Sequence, residues 1–145
     1  EDMRKVAEEV EQDVFVLLQA DPIAALFSGD VYRQGMRPFN SKSEDIVITF
    51  LTGLDGQKQT GVVNINCYVP DIDNGQQLLV KNVGRCKTLA IALNTFKEEL
   101  MTSDLALDRS GYKFLQGDSM ITTYEQKEID QHFINMRLKF EYLTI

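Results

Sequence analysis

Apolar and polar positions alternate most regularly near the end of the chain. There Ile134, Met136, Leu138, Phe140 and Tyr142 share one parity, and Asn135, Arg137, Lys139 and Glu141 share the other. Successive side chains of a strand point to opposite faces, so the pattern predicts a half-buried strand over 135–142. Residues 46–51 (IVITFL) and 62–69 (VVNINCYV) are β-branched and aromatic, with Gly53, Asp55, Gly56 and Gly61 between them. They predict a long β-hairpin. Its second arm should pack Val63, Ile65, Cys67 and Val69 on helices and leave Asn64 and Asn66 on a wet face. Gly61 predicts a bulge, and Pro70, which lacks an N–H, should end the ladder.

The period becomes helical twice. Met3, Val6, Val10, Val14, Leu17 and Leu18 fall at three- and four-residue spacings and predict a helix over 2–20. Val83, Cys86, Leu89, Ala90, Leu93, Phe96, Leu100 and Met101 do the same over 83–101, with Asn82 placed to cap that helix. Such a stripe of Leu, Met and Phe is a core face, not a cofactor box. Asp21-Pro22 supplies a cap and a first-turn proline for a second short helix over 22–27, ending near Gly29.

Residues 31–34 predict a short strand between Gly29 and Gly35, and residues 36–41 an extended loop around Pro38. Residues 102–111 are a connection. Residues 112–115 and 120–124 are one interrupted strand or two short ones, with Gly117 and Asp118 as the interruption. The order is helix, short strand, hairpin, helix, hairpin. It predicts an α+β fold in one domain over 1–145, a mixed and mostly antiparallel sheet with two main helices packed on it. The βαβ alternation of a nucleotide-binding sheet is missing.

Charge narrows the function. With 22 acidic and 15 basic residues the formal net charge is −7, and no basic cluster exists to displace counterions from phosphates. Sequence-specific nucleic-acid binding is not expected. Seven carboxylates lie between Glu1 and Asp21 against Arg4 and Lys5, so the first helix should present an acidic, solvated face. No apolar run reaches the roughly 18 residues of a membrane-spanning helix, and the chain starts at Glu1 without a basic, apolar leader, so neither a membrane anchor nor a signal peptide is expected, an upstream segment being left open.

Each chemical motif fails on a required residue. Gly56 and Gly61 have the spacing of a phosphate-binding loop, but Val62 and Val63 stand where Lys and Ser or Thr are needed. Residues 71–75 (DIDNG) begin like a calcium loop, yet the glycine comes one place early and Asn82 replaces the bidentate Glu. A turn rich in Asx residues accounts for them. Cys67 and Cys86 lack a CxxC partner and read as buried thiols. His132, the single histidine, continues the parity of the last strand and reads as a hydrogen-bonded residue at its start. Glu8 with Glu9, and Glu98 with Glu99, are helical neighbours that point apart and form no acid/base pair. Neither a catalytic residue, a cofactor nor a metal is expected.

Residues 29–35 (GDVYRQG), Arg37-Pro38, Asn40-Ser41, 44–47 (EDIV) and 64–71 (NINCYVPD) together resemble small structural proteins of tailed phages and prophages. The order of helices and hairpins is similar to that of the tail-completion and tail-terminator proteins, the head-tail joining proteins of long-tailed bacteriophages. Tyr32, Arg37 and Asn66 are matching positions whose roles do not carry over. The resemblance implies a non-catalytic homo-oligomer, commonly a ring of six subunits, that closes the tail tube and meets the head connector. It would assemble in the bacterial host cytoplasm and end in the virion tail or neck. An acidic chain suits a ring through which DNA passes without binding. The alternative class is a small binding module or enzyme of prophage or mobile-element origin, with a pocket built from distant residues.

Under that resemblance residues 70–81 are a candidate contact site, with Leu78, Leu79 and Val80 awaiting a ring neighbour or the tail tube. A competing assignment extends the second helix backwards over 76–81, because Leu79, Val83 and Cys86 also fit helical spacing.

Overall fold

The computed structural model describes residues 4–102, 111–115 and 119–143. Helix α1 (Ala7–Ala20) buries Val10, Val14 and Leu18, one side chain per turn. It begins where the Glu9 carboxylate accepts the Val6 N–H at 3.1 Å, so Val6 lies before the first turn and is exposed rather than on the core face. Asp21 ends α1 by donating its N–H to the Leu18 carbonyl, and its carboxylate accepts the Ile23 N–H at 2.9 Å. That bond and Pro22 at the first position start a short 3₁₀ helix, Pro22–Leu26.

Strands β1 (Val31–Arg33), β2 (Ile46–Leu54) and β3 (Lys58–Pro70) follow. β1 pairs parallel with β2, and β2 antiparallel with β3. Both arms of the hairpin outrun the apolar blocks that predict them, because the exposed end Thr52–Gly53–Leu54 still pairs backbone to backbone with Val62, Gly61 and Thr60. The bulge sits in β2, where the register shifts between Phe50 and Thr52. Gly61 stays in register instead, opposite Gly53 and Phe140. A Cβ at Gly61 would lie 2.6 Å from the Thr52 carbonyl and 2.9 Å from the Phe140 ring. The glycine is there to seat that ring, which meets Phe50 edge to face at 6.4 Å.

After β3 come β4 (Ile72–Asp73) and β5 (Leu79–Val80), then α2 (Val83–Thr102), β6 (Tyr112–Leu115), β7 (Thr122–Gln126), a one-turn 3₁₀ helix (Lys127–Ile129) and β8 (Gln131–Leu143). β8 pairs with β3 from Pro70↔Gln131 to Lys58↔Leu143, while β6 and β7 take successive stretches of its other edge. The main sheet runs β1-β2-β3-β8-β6 with β7 beside β8, antiparallel except for the β1/β2 pair. The α+β class and the mixed, mostly antiparallel sheet are those expected. The predicted connection over 102–111 and the Gly117-Asp118 interruption fall largely or wholly outside the described residues.

One apolar cluster joins α1 and α2 to a single face of the sheet through Ile48, Val63, Ile65, Met136 and Leu138 from the strands and Leu18, Leu89 and Leu93 from the helices. Val83 is exposed, so the α2 core stripe starts at Cys86. The thiols of Cys67 and Cys86 are free, and burial raises both above the ordinary thiol range. On the opposite face the expected wet surface is half-buried, because neighbouring side chains cover one another: Asn135 donates to Asn64 Oδ1 at 3.0 Å and to Asn66 Oδ1 at 2.8 Å, and Phe133 stacks on Tyr124 and meets Tyr68 at a tilt.

The acidic side of α1 is partly tied down. Glu11 pairs with Arg33 at 3.1 Å and accepts the Phe50 N–H at 3.3 Å. Asp13 pairs with Lys5 and accepts the Tyr112 hydroxyl at 2.6 Å. Burial, then that bond to Asp13, pushes the Tyr112 hydroxyl well above the usual phenol range. Among the described residues no helix is long and apolar enough to cross a membrane.

Candidate functional site

The start of β2, the end of β3 and the start of β8 meet at one end of the sheet, since Ile46 pairs with Cys67 and Pro70 with Gln131. Residues 34–45 and the β4/β5 hairpin both leave from this end, and the first turn of α2 reaches it through Arg85. Residues 34–45 have no ladder of their own, so side chains must hold them.

Asp45 holds the first loop. It is 1% exposed, and its carboxylate accepts the Asp30 N–H at 3.0 Å, Arg37 Nε at 2.8 Å and the Ser41 hydroxyl at 2.5 Å. Arg37 also donates to the Ser43 carbonyl at 3.2 Å and to Gln131 Oε1 at 2.9 Å, with its guanidinium 4.1 Å from the Tyr68 ring centroid. Gln131 closes the circuit by donating to the Ser41 carbonyl at 2.7 Å. A buried ion pair is stable only when its remaining donors and acceptors are satisfied, as they are here. Gly29 makes the space: a Cβ there would meet Asp45 Oδ1 at 1.9 Å and the Glu44 carbonyl at 2.8 Å.

Glu44 ties the same loop to α2. Arg85 approaches both of its oxygens, Nε to Oε2 at 2.6 Å and a terminal nitrogen to Oε1 at 2.7 Å, and also donates to the Leu26 carbonyl at 2.5 Å. The Ser28 N–H donates to Glu44 Oε1 at 3.1 Å. The bond from Arg85 comes first among the causes that hold the Glu44 carboxyl below its usual range, against the opposing effect of burial.

Residues 70–81 form neither an irregular loop nor an extension of α2. Ile72 pairs with Val80 and Asp73 with Leu79. The turn between them is built from Asp73 and Asn74, whose side chains accept the N–H groups of Gly75 at 2.7 Å and Gln76 at 2.9 Å, with Gly75 and Gln77 at positive φ. Asn82 fixes the start of α2 by accepting the Arg85 N–H at 3.2 Å, which stops the helix from running back over 76–81. Leu78 and Leu79 are exposed, and Val80 is half-buried. His132 opens β8 with Nδ1 2.7 Å from Asp71 Oδ1, a bond that joins the hairpin's first residues to the sheet.

Apolar side chains therefore stand in water on tightly held supports. Phe39 is 89% and Met36 69% exposed on the loop that Arg37 and Asp45 hold. Leu26, Ile72, Leu78 and Leu79 are exposed on the neighbouring segments. Such an arrangement can bind a complementary apolar surface at small ordering cost. Of Leu78, Leu79 and Val80, which the sequence singled out, the first two are exposed, while Met36, Phe39 and the network beneath them were not singled out. No local signal marked that network, because Arg37, Ser41, Glu44 and Asp45 are equally the composition of a solvated loop. Of the matching positions, Arg37 and Asn66 serve in side-chain hydrogen-bond networks, and Tyr32 lies in β1. No family model matches the chain, and no curated protein matches it.

Proposed function

We propose that this chain is a structural subunit of phage or prophage morphogenesis, a tail-completion or head-tail joining protein that works without catalysis. It self-assembles, as a ring of six in the family it resembles, and docks on the tail tube or head connector. Its place is then the host cytoplasm during assembly and the virion tail or neck afterwards. The observation that carries this reading is the set of exposed apolar side chains near one end of the sheet, Phe39 above all, on a segment braced by the buried Arg37–Asp45 pair and the partly exposed Arg85–Glu44 pair. Bracing of that kind favours binding by a preformed surface, because little conformational entropy is left to lose.

Electron microscopy of the purified protein, alone and with tail tubes, tests the proposal. Closed rings of fixed subunit number, or tubes capped at one end, are expected. Dispersed single subunits together with bare tubes would overturn it. The reading as a small-molecule binding module has one observation in its favour, a groove along α2 lined by residues other than those of this surface.

A further inference from the structure

Lys97 is the one basic residue among the described buried ones; it is 5% exposed on α2. It falls four residues after Leu93 and four before Met101, which sets its stem among apolar neighbours. It has no hydrogen-bond or ion-pair partner among the described residues. Since no fully buried side-chain nitrogen or oxygen there lacks a partner, the ammonium of Lys97 keeps some exposure. Lys97 lines a groove of about 590 Å³ between α2 and residues 119–121. The volume lies within the roughly 300–1,000 Å³ of small-molecule sites.

The rest of the groove defines the ligand. Ile91, Met101, Met120 and Ile121 line it, and Ile91 and Met120 are exposed. Glu98 also lines it but accepts from Asn94 at 3.3 Å. Lys87, the other cation, is exposed and about 15 Å from Lys97 along the helix axis. We propose that the groove binds a small apolar monocarboxylate, its chain on the methyl-rich wall and its carboxylate on Lys97. One cation beside one carboxylate suits a single negative charge and not a phosphate dianion, which proteins hold with several donors or at a helix N-terminus. Here the nearer end of α2 is its C-terminus, whose free carbonyls disfavour a dianion more than a monoanion. Burial lowers the Lys97 pKa below the ordinary lysine range, and a carboxylate against it would restore the charged form. The site shares no residue with the proposed assembly surface.

Octanoate is the probe, with octan-1-ol and octyl phosphate as controls, read by methyl NMR of the Ile and Met side chains. Saturable shifts are expected at Ile91, Met101, Met120 and Ile121 with octanoate. Lys97→Met should weaken octanoate by at least about tenfold while folding normally, since it replaces a desolvated charge by an apolar chain of similar length. Ile91→Glu, at an exposed position, should block the groove with Lys97 intact. The Lys97 ¹³Cε titration should move to higher pH when octanoate is bound. Absence of saturable shifts in the parent, equal binding of octan-1-ol or octyl phosphate, or unchanged affinity in Lys97→Met would overturn the proposal.

Discussion

Replacing Asp45 by Ala removes the acceptor at the centre of the loop network. Three donors lose their partner together: the Asp30 N–H, Arg37 Nε and the Ser41 hydroxyl. Arg37 is the costliest of them, because its side chain is only 10% exposed and becomes a charge without its counter-ion. Breaking a buried pair from one side costs about 3–5 kcal/mol. In a domain of this size that corresponds to a fall in melting temperature of roughly 6–20 °C. Arg37→Met on the Asp45→Ala background should return part of the loss, since the stranded charge is then gone, with a coupling of about 1–3 kcal/mol between the two sites. Urea denaturation followed by far-UV circular dichroism at neutral pH reads all four corners of the cycle, with unchanged m-values showing that the same surface unfolds. A loss under about 1 kcal/mol for Asp45→Ala, or single losses that simply add in the double variant, would show that the pair does not hold the loop.

Leu93→Ala empties a site that is 0% exposed between α2 and the sheet and should cost about 2–5 kcal/mol in the same denaturation assay; Ile91→Ala, on the outer side of α2, should change stability by less than about 0.5 kcal/mol. Glu44 has a folded-state pKa below its unfolded value because Arg85 bonds its charged form. Its contribution to stability is therefore complete above the unfolded value and is lost as pH falls through the folded one. Glu44→Gln should accordingly lower stability at pH 7 and flatten the stability profile below about pH 5; a parallel downward shift at every pH would contradict this.

The elements that the sequence made legible are those in which one side chain in two, or one in three or four, reports burial. The parity of residues 134–142 gives β8, and the stripe from Cys86 to Leu100 gives α2. Where backbone pairing continues under exposed residues, as at Thr52–Gly53–Leu54, apolar pattern falls silent and the strand looks shorter than it is. The β4/β5 hairpin was hidden because two-residue strands carry no period, although its Asx turn was readable from Asp73 and Asn74. The loop network was beyond reach for a different reason. Arg37 and Gln131 lie 94 positions apart, and nothing local to either says that they meet. Lys97 did carry a signal: a lysine four residues from both Leu93 and Met101 sits beside the core-facing stripe of its helix.

The proposed function requires the exposed apolar side chains near the end of the sheet to serve assembly and not the fold. Leu79→Asp and Phe39→Asp, each measured by thermal melting and by counting rings or capped tail tubes in electron micrographs, test it most directly. Both positions are exposed, so both variants should melt within about 2 °C of the parent and yield neither rings nor capped tubes. A collapse of melting temperature would place these side chains in the core, and assembly at the parental level would show that the surface does not join subunits or tubes; either result contradicts the account.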